Sequence, residues 1–183
     1  MKVITLLLAC IVSAAAWQTS SSNQNQALSP RALERITQEV RHQLVMLPYY
    51  GVFDNLAYKV APDGTVTLLG KVARPTLKSD AERAVKNIEG VERVDNQIEV
   101  LPTSPMDDQT RRAVYRALYG NEVLSQYALR AVPPIHIIVK NGHVTLEGVV
   151  SRQMDKQIAE MQAKSVANVF SVTNNLRVEE EAK

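Results

Sequence analysis

Asp63-Gly64-Thr65-Val66-Thr67-Leu68-Leu69-Gly70 is answered 78 residues later by Asn141-Gly142-His143-Val144-Thr145-Leu146-Glu147-Gly148. The match does not stop there. Between Gly64 and Val100, 15 of 37 positions are identical to those 78 residues on, without a gap, where average residue usage gives about two or three by chance. The chain is an internal duplication, so its fold is one small unit built twice.

In the first copy Leu56, Tyr58 and Val60 alternate, Asp63-Gly64 supplies a two-residue turn that tolerates positive φ, and Val66, Leu68, Gly70 and Val72 alternate again. That pattern predicts a β-hairpin. Upstream, Leu33, Ile36, Val40, Leu44 and Leu47 recur at helical spacing until Pro48 and Gly51 stop them. Downstream, Leu77, Ala81, Ala84, Val85 and Ile88 mark a second helix closed by Gly90, and Val94, Asn96, Ile98 and Val100 alternate in a final strand. Val114 with Leu118, then residues 135–139, 144–150, 158–166 and 172–178, repeat this order. The expected fold class is α+β: two tandem modules, each α-β-β-α-β. Both helices lie on one face of a three-stranded sheet, because a strand-helix-strand crossover has one favoured hand.

Smaller features follow from this frame. Ser29-Pro30 and Ser104-Pro105 read as helix starts, and Ser104 with Asp107 fits a capping box. Gly70 and Gly148 share the inward phase of their strands, where a missing side chain would let a helix approach closely. Asn96 and Asn174 share that phase too and are expected to find hydrogen-bond partners.

With 45% hydrophobic and 22% charged residues among 183, the chain has the composition of a folding protein. Its net charge of +2, with no run of five or six like charges, argues against nucleic acid as a partner. Lys2, the apolar stretch from Val3 to Val12, and Ala14-Ala15-Ala16 read as an export signal, too short for a permanent span. Leu7-Leu8-Ala9-Cys10 resembles an acylation box. The short apolar region before Cys10, the chain's single cysteine, and the apolar Ile11-Val12 after it favour cleavage near Ala16 over lipidation. The expected organisation is a signal peptide (1–16), a flexible leader (17–28), the first module (29–101), a linker and helix cap (102–108), the second module (109–179) and an acidic tail (180–183).

The Asn/Asp-Gly turn, the Val-Thr-Leu-x-Gly-x-Val strand, the Ala-Glu helix and the closing Val-x-x-Val-x-Asn strand together resemble the BON domain of bacterial envelope proteins. Asn168 stands where the first copy has Gly90, and asparagine also tolerates the left-handed conformation of a helix stop. The resemblance implies a non-enzymatic protein of the periplasm, or peripheral to or anchored in the outer membrane. It is associated with phospholipid surfaces, envelope integrity and osmotic stress, while some relatives act on unfolded or secreted proteins.

The residues themselves show no catalytic motif: no Gly-x-Ser-x-Gly elbow, phosphate loop or His-Glu-x-x-His helix. His42, His136 and His143 lack metal-ligand spacing. No catalytic residue, cofactor or metal is expected. One surface is suggestive. On the first helix of the second copy Thr110, Val114, Ala117 and Leu118 face the core, so Arg112, Tyr115, Arg116 and Tyr119 should project together. Arginines attract anionic headgroups and tyrosines favour an apolar/water boundary, so this stripe is the candidate site for an anionic phospholipid or membrane surface. A solvated helix face is the competing reading. In the first copy, Glu34, Gln38, Arg41 and Val45 are mixed in charge and lack aromatics. Tyr49, Tyr50 and Phe53 are expected to cover the end of the core, and otherwise to meet a partner. The alternative function is a protein-interaction or chaperone module that uses this loop or open sheet edges on envelope or client proteins.

Overall fold

The computed structural model describes residues 27–130 and 132–179, so the expected export signal with Cys10 and the tail at 180–183 lie outside the described residues. In the first module α1 (Pro30–Val45) is followed by β1 (Asn55–Val60), β2 (Thr65–Val72), α2 (Pro75–Lys86) and a last strand in two pieces, β3 (Arg93–Asn96) and β4 (Glu99–Val100). The second runs α3 (Pro105–Tyr119), a 3₁₀ helix (Ser125–Leu129), β5 (Ile135–Lys140), β6 (His143–Val150), α4 (Gln153–Lys164) and β7 (Ser171–Val178). Each hairpin is antiparallel, and the last strand adds in parallel beside its second strand. Leu68 thus lies opposite Asn96 as Leu146 lies opposite Asn174.

The inward asparagines do the same thing twice. Asn96 Nδ2 donates to the Lys78 carbonyl (3.0 Å) and to Glu82 Oε2 (3.0 Å), while its Oδ1 accepts from Ile98 N (3.2 Å). Asn174 repeats this with Lys156 O (2.9 Å), Glu160 Oε2 (3.3 Å) and Leu176 N (3.2 Å). One amide fastens the second helix of each module to its last strand and satisfies polar groups that would otherwise be stranded under it.

Several local expectations need correction. The first hairpin closes through three residues, Pro62-Asp63-Gly64, with Ala61 N donating to Thr65 O (2.8 Å) and only Gly64 at positive φ (+80°). The second hairpin is the two-residue turn, with Asn141 (+52°) and Gly142 (+75°) both left-handed. The final strand of the first module is interrupted at Gln97-Ile98. Asn175 ties β7 to β6 through Glu147 (2.7 Å), but Glu147 has Leu69 as its counterpart, and Gln97 turns back to Asp95 of its own strand (2.6 Å). Ser104 caps α3 by accepting from Asp107 N (3.2 Å), yet the Asp107 carboxylate does not return to the cap. It is buried and accepts from Asn141 N (2.8 Å) and Gly142 N (2.9 Å), pinning the hairpin turn to the helix.

Gly70 and Gly148 are structural, for a different reason from helix approach. Their φ values are +116° and +125°, and a Cβ would lie 2.0 Å from Asn55 O and 1.9 Å from Pro134 O. What needs the space is the backbone of the neighbouring strand. Their conformation is also one that only glycine adopts freely.

The two cores share a scaffold but not a filling. α2 buries Leu77, Ala81 and Val85, whereas α4 buries Asp155, Ala159 and Ala163 at the same positions. The lost bulk returns from the longer connection between α3 and β5, which inserts Leu124 and Tyr127, and from Tyr119 at the end of α3.

Candidate functional site

The nine residues between α1 and β1 join the modules. Asp54, 5% exposed, accepts from Gly51 N (3.2 Å) and Ala73 N (2.8 Å), which fixes the loop tip against the start of α2. Burial raises the Asp54 pKa above its usual range, although those two N–H groups pull it down. Held this way, the loop presents Val52, whose carbonyl accepts from Ile137 N of β5 (2.8 Å), and Phe53, which meets the Tyr115 ring edge-on at 6.2 Å between centroids. Tyr50 packs on the first core and stacks on His136 of β5 at 5.6 Å. Its burial pushes its pKa up to about 12. Only Tyr49 stays on the surface, 73% exposed at φ +68°, with the Arg74 guanidinium 4.9 Å from its ring centre. The cluster expected over the end of one core is therefore mostly the contact between two modules.

The expected stripe on α3 divides. Arg112 and Arg116 are exposed and enter no ion pair among the described residues. Tyr115 is half-buried between Phe53 and Tyr119. Tyr119 does not project: it is 8% exposed and donates its hydroxyl to Ile135 O (2.7 Å), and burial drives its pKa well above the ordinary tyrosine range. Thr110, Val114 and Leu118 are buried as expected, but the stripe is wider on the side of Asp107, Arg111 and Tyr119, while Ala117 is only half-buried. Arg111 donates to Val139 O (2.8 Å) and pairs with Asp108. Its position four residues after Asp107 and three before Val114, on the stripe that leads to Leu118, was the signal for this in the sequence. The structure adds a cation that periodicity could not find. Arg130, on the connection to β5, joins Arg112, Tyr115, Val52, Phe53, Ala128 and Pro133 around a shallow depression of ≈ 410 Å³.

His136 gives the junction a pH response. Burial lowers its pKa below the ordinary 6.5, outweighing the backbone of Gly51 and Asp54 and the charges of Asp54 and Glu147, which raise it. A depressed pKa means the folded state resists the proton. The stability this confers is present above 6.5 and is lost as pH falls from 6.5 through the folded value. Thermal unfolding at pH 7.5 and 5.5 is expected to show a lower midpoint at the acid pH, and His136→Phe, which keeps the stack on Tyr50, to narrow the difference. An undiminished difference in the variant would assign the effect elsewhere.

No helix among the described residues is long and apolar enough to cross a membrane. No curated protein matches the chain. Among solved structures, two of CdsD, described as a structural protein of the type III secretion system of Chlamydia trachomatis, are similar. One, its C-terminal domain, is 12% identical with a TM-score of 0.29, over 77% of this chain and 96% of that one. The other is 16% identical with a TM-score of 0.29, over 81% and 95%. Scores that low carry no inference about fold or partner. The BON domain model matches twice, at residues 32–102 and 107–180, one match for each helix-strand-strand-helix-strand unit. The two asparagine tethers, the two strand glycines and this double match place the chain in the BON domain family, as a protein with two BON modules in tandem.

Proposed function

We propose that this is a non-catalytic protein of the bacterial envelope that binds anionic phospholipid surfaces through its second module and supports envelope integrity under stress. The observation that carries this reading is the group of Arg112, Arg116 and Arg130. These exposed guanidiniums have no carboxylate partner among the described residues; Arg112 and Arg130 line the depression with the half-buried rings of Tyr115 and Phe53, and Arg116 follows Arg112 by four residues on α3. Free cations bordered by aromatic edges suit the boundary where headgroups meet acyl chains. Tyr119, buried and hydrogen-bonded, acts from beneath by holding Tyr115 in place.

Co-sedimentation with vesicles of graded phosphatidylglycerol content tests this. Removing two basic residues at about 1 kcal/mol each is expected to weaken binding roughly 30-fold in Arg112→Ser/Arg116→Ser. Tyr119→Phe should retract none of the binding surface. Binding that ignores anionic lipid content, or survives the double change, would defeat the reading. Strand addition to a client chain is less well supported, because Val52 O already occupies Ile137 N on β5.

A further inference from the structure

A second basic surface lies between the modules; it shares Arg130 with the first but does not require the lipid reading. α1 and β1 of the first module and β6 and β7 of the second line a groove of ≈ 780 Å³, within the roughly 300–1,000 Å³ of small-molecule sites. Three elements each contribute one arginine: Arg41 from α1, Arg130 from the connection before β5, and Arg177 from β7. None of the three enters an ion pair among the described residues. Glu147 is the one carboxylate in the wall, and Asn175 Nδ2 donates to it at 2.7 Å.

The groove therefore concentrates a surplus of two positive charges, as much as the net charge of the whole 183-residue chain. Like charges gathered with too few counter-charges repel, so the arrangement favours an anion between them. The His136 imidazole lines the same groove. Leu56, Pro134 and Val149 give part of the wall an aliphatic surface, beside Tyr50, Tyr58 and Asn55. Guanidinium forks match phosphate oxygens in pairs, and a phosphomonoester brings close to two negative charges.

We infer that the groove binds a phosphate group carried on a short carbon body, with Arg41, Arg130 and Arg177 on the phosphate oxygens and the aliphatic wall against the carbon chain. The ligand is either a soluble phosphomonoester or the phosphate of a lipid headgroup, and both need the same groove. Because the modules supply different arginines, occupancy would also brace them against each other.

Isothermal titration of the full exported chain with glycerol 3-phosphate, with glycerol as the blank, tests the soluble source. Sedimentation with phosphatidic acid vesicles, carried out in the Arg112→Ser/Arg116→Ser background so that the α3 surface does not contribute, tests the lipid source. Arg41→Ser/Arg177→Ser changes two exposed side chains and is expected to weaken whichever probe binds by about 10- to 100-fold. Arg112→Ser/Arg116→Ser should leave glycerol 3-phosphate binding unchanged even if it removes phosphatidylglycerol binding. Binding of glycerol 3-phosphate lost in the groove variant supports a soluble ligand. Binding of phosphatidic acid vesicles alone, lost in the same variant, supports a headgroup. Binding of neither probe, or binding that survives Arg41→Ser/Arg177→Ser, overturns the proposal and leaves the phosphatidylglycerol result standing on its own.

Discussion

Gly148→Ala is expected to bring the second module close to unfolding. The added Cβ would lie 1.9 Å from the Pro134 carbonyl oxygen, and that atom belongs to the backbone entering β5, so no side chain can rotate away. The φ of +125° adds strain that relief of the contact would not remove. Steric overpacking and a disfavoured backbone conformation together cost roughly 3–5 kcal/mol, against a total stability of about 5–15 kcal/mol for a domain. Gly90→Asn is the informative contrast. Gly90 also has positive φ (+89°), but its Cβ would meet side chains rather than backbone, Ile36 Cδ1 at 3.1 Å and Arg35 Nη2 at 3.5 Å, and the second module already carries Asn168 there at φ +66°. Its cost should stay below about 1 kcal/mol. Hydrogen exchange read by mass spectrometry separates these cases, because Gly148→Ala should strip protection from 105–178 first. A Gly148→Ala protein that melts with its parent would disprove the backbone argument.

These glycines also show what kind of information the sequence carries. Their place in the repeat and their inward phase were legible, since alternation fixes which face a strand residue occupies. Their reason was not, because a carbonyl on the neighbouring strand leaves no mark in a pattern of side chains. The asparagines were the opposite case. A polar residue at an inward position implies a partner, and Asn96 and Asn174 both have three. Helical spacing likewise placed α3 but misjudged its width. Tyr119 is drawn inward because the core beneath it has lost Leu77 to Asp155 and Val85 to Ala163. Arg130 was beyond reach, since it lies on the connection from α3 to β5, which is longer than its counterpart in the first copy, and so was the docking of Val52 and Phe53 on the second module. A contact between copies of a repeat has no counterpart within either copy, so comparing the copies could not reveal it.

Asp155→Ala is expected to loosen the part of the second module that the repeat does not explain. Asp155 is fully buried, and its Oδ2 accepts from the Tyr127 hydroxyl at 2.7 Å, while Arg152 reaches it from solvent at 3.1 Å. The guanidinium is largely in water, so it can be rehydrated when its partner is removed and adds little to the loss. The cost comes from Tyr127, 6% exposed, whose hydroxyl still accepts from Ser151 N at 2.8 Å but has nowhere to donate. An unsatisfied buried donor with a small cavity beside it costs about 2–3 kcal/mol. Leu77 holds the equivalent site in the first module, so the fold itself does not need a carboxylate there. The carboxylate holds the 3₁₀ helix, and with it the segment that carries Arg130. Asp155→Asn retains an acceptor for Tyr127 and should stay within about 1 kcal/mol of the parent. In Tyr127→Phe/Asp155→Ala the two losses should overlap rather than add, because both single changes break one shared bond. Exchange protection at 124–130 is expected to fall in Asp155→Ala while β6 and β7 keep theirs. Unchanged protection there would mean that the Tyr127–Asp155 bond is not what fixes Arg130 between the two basic surfaces.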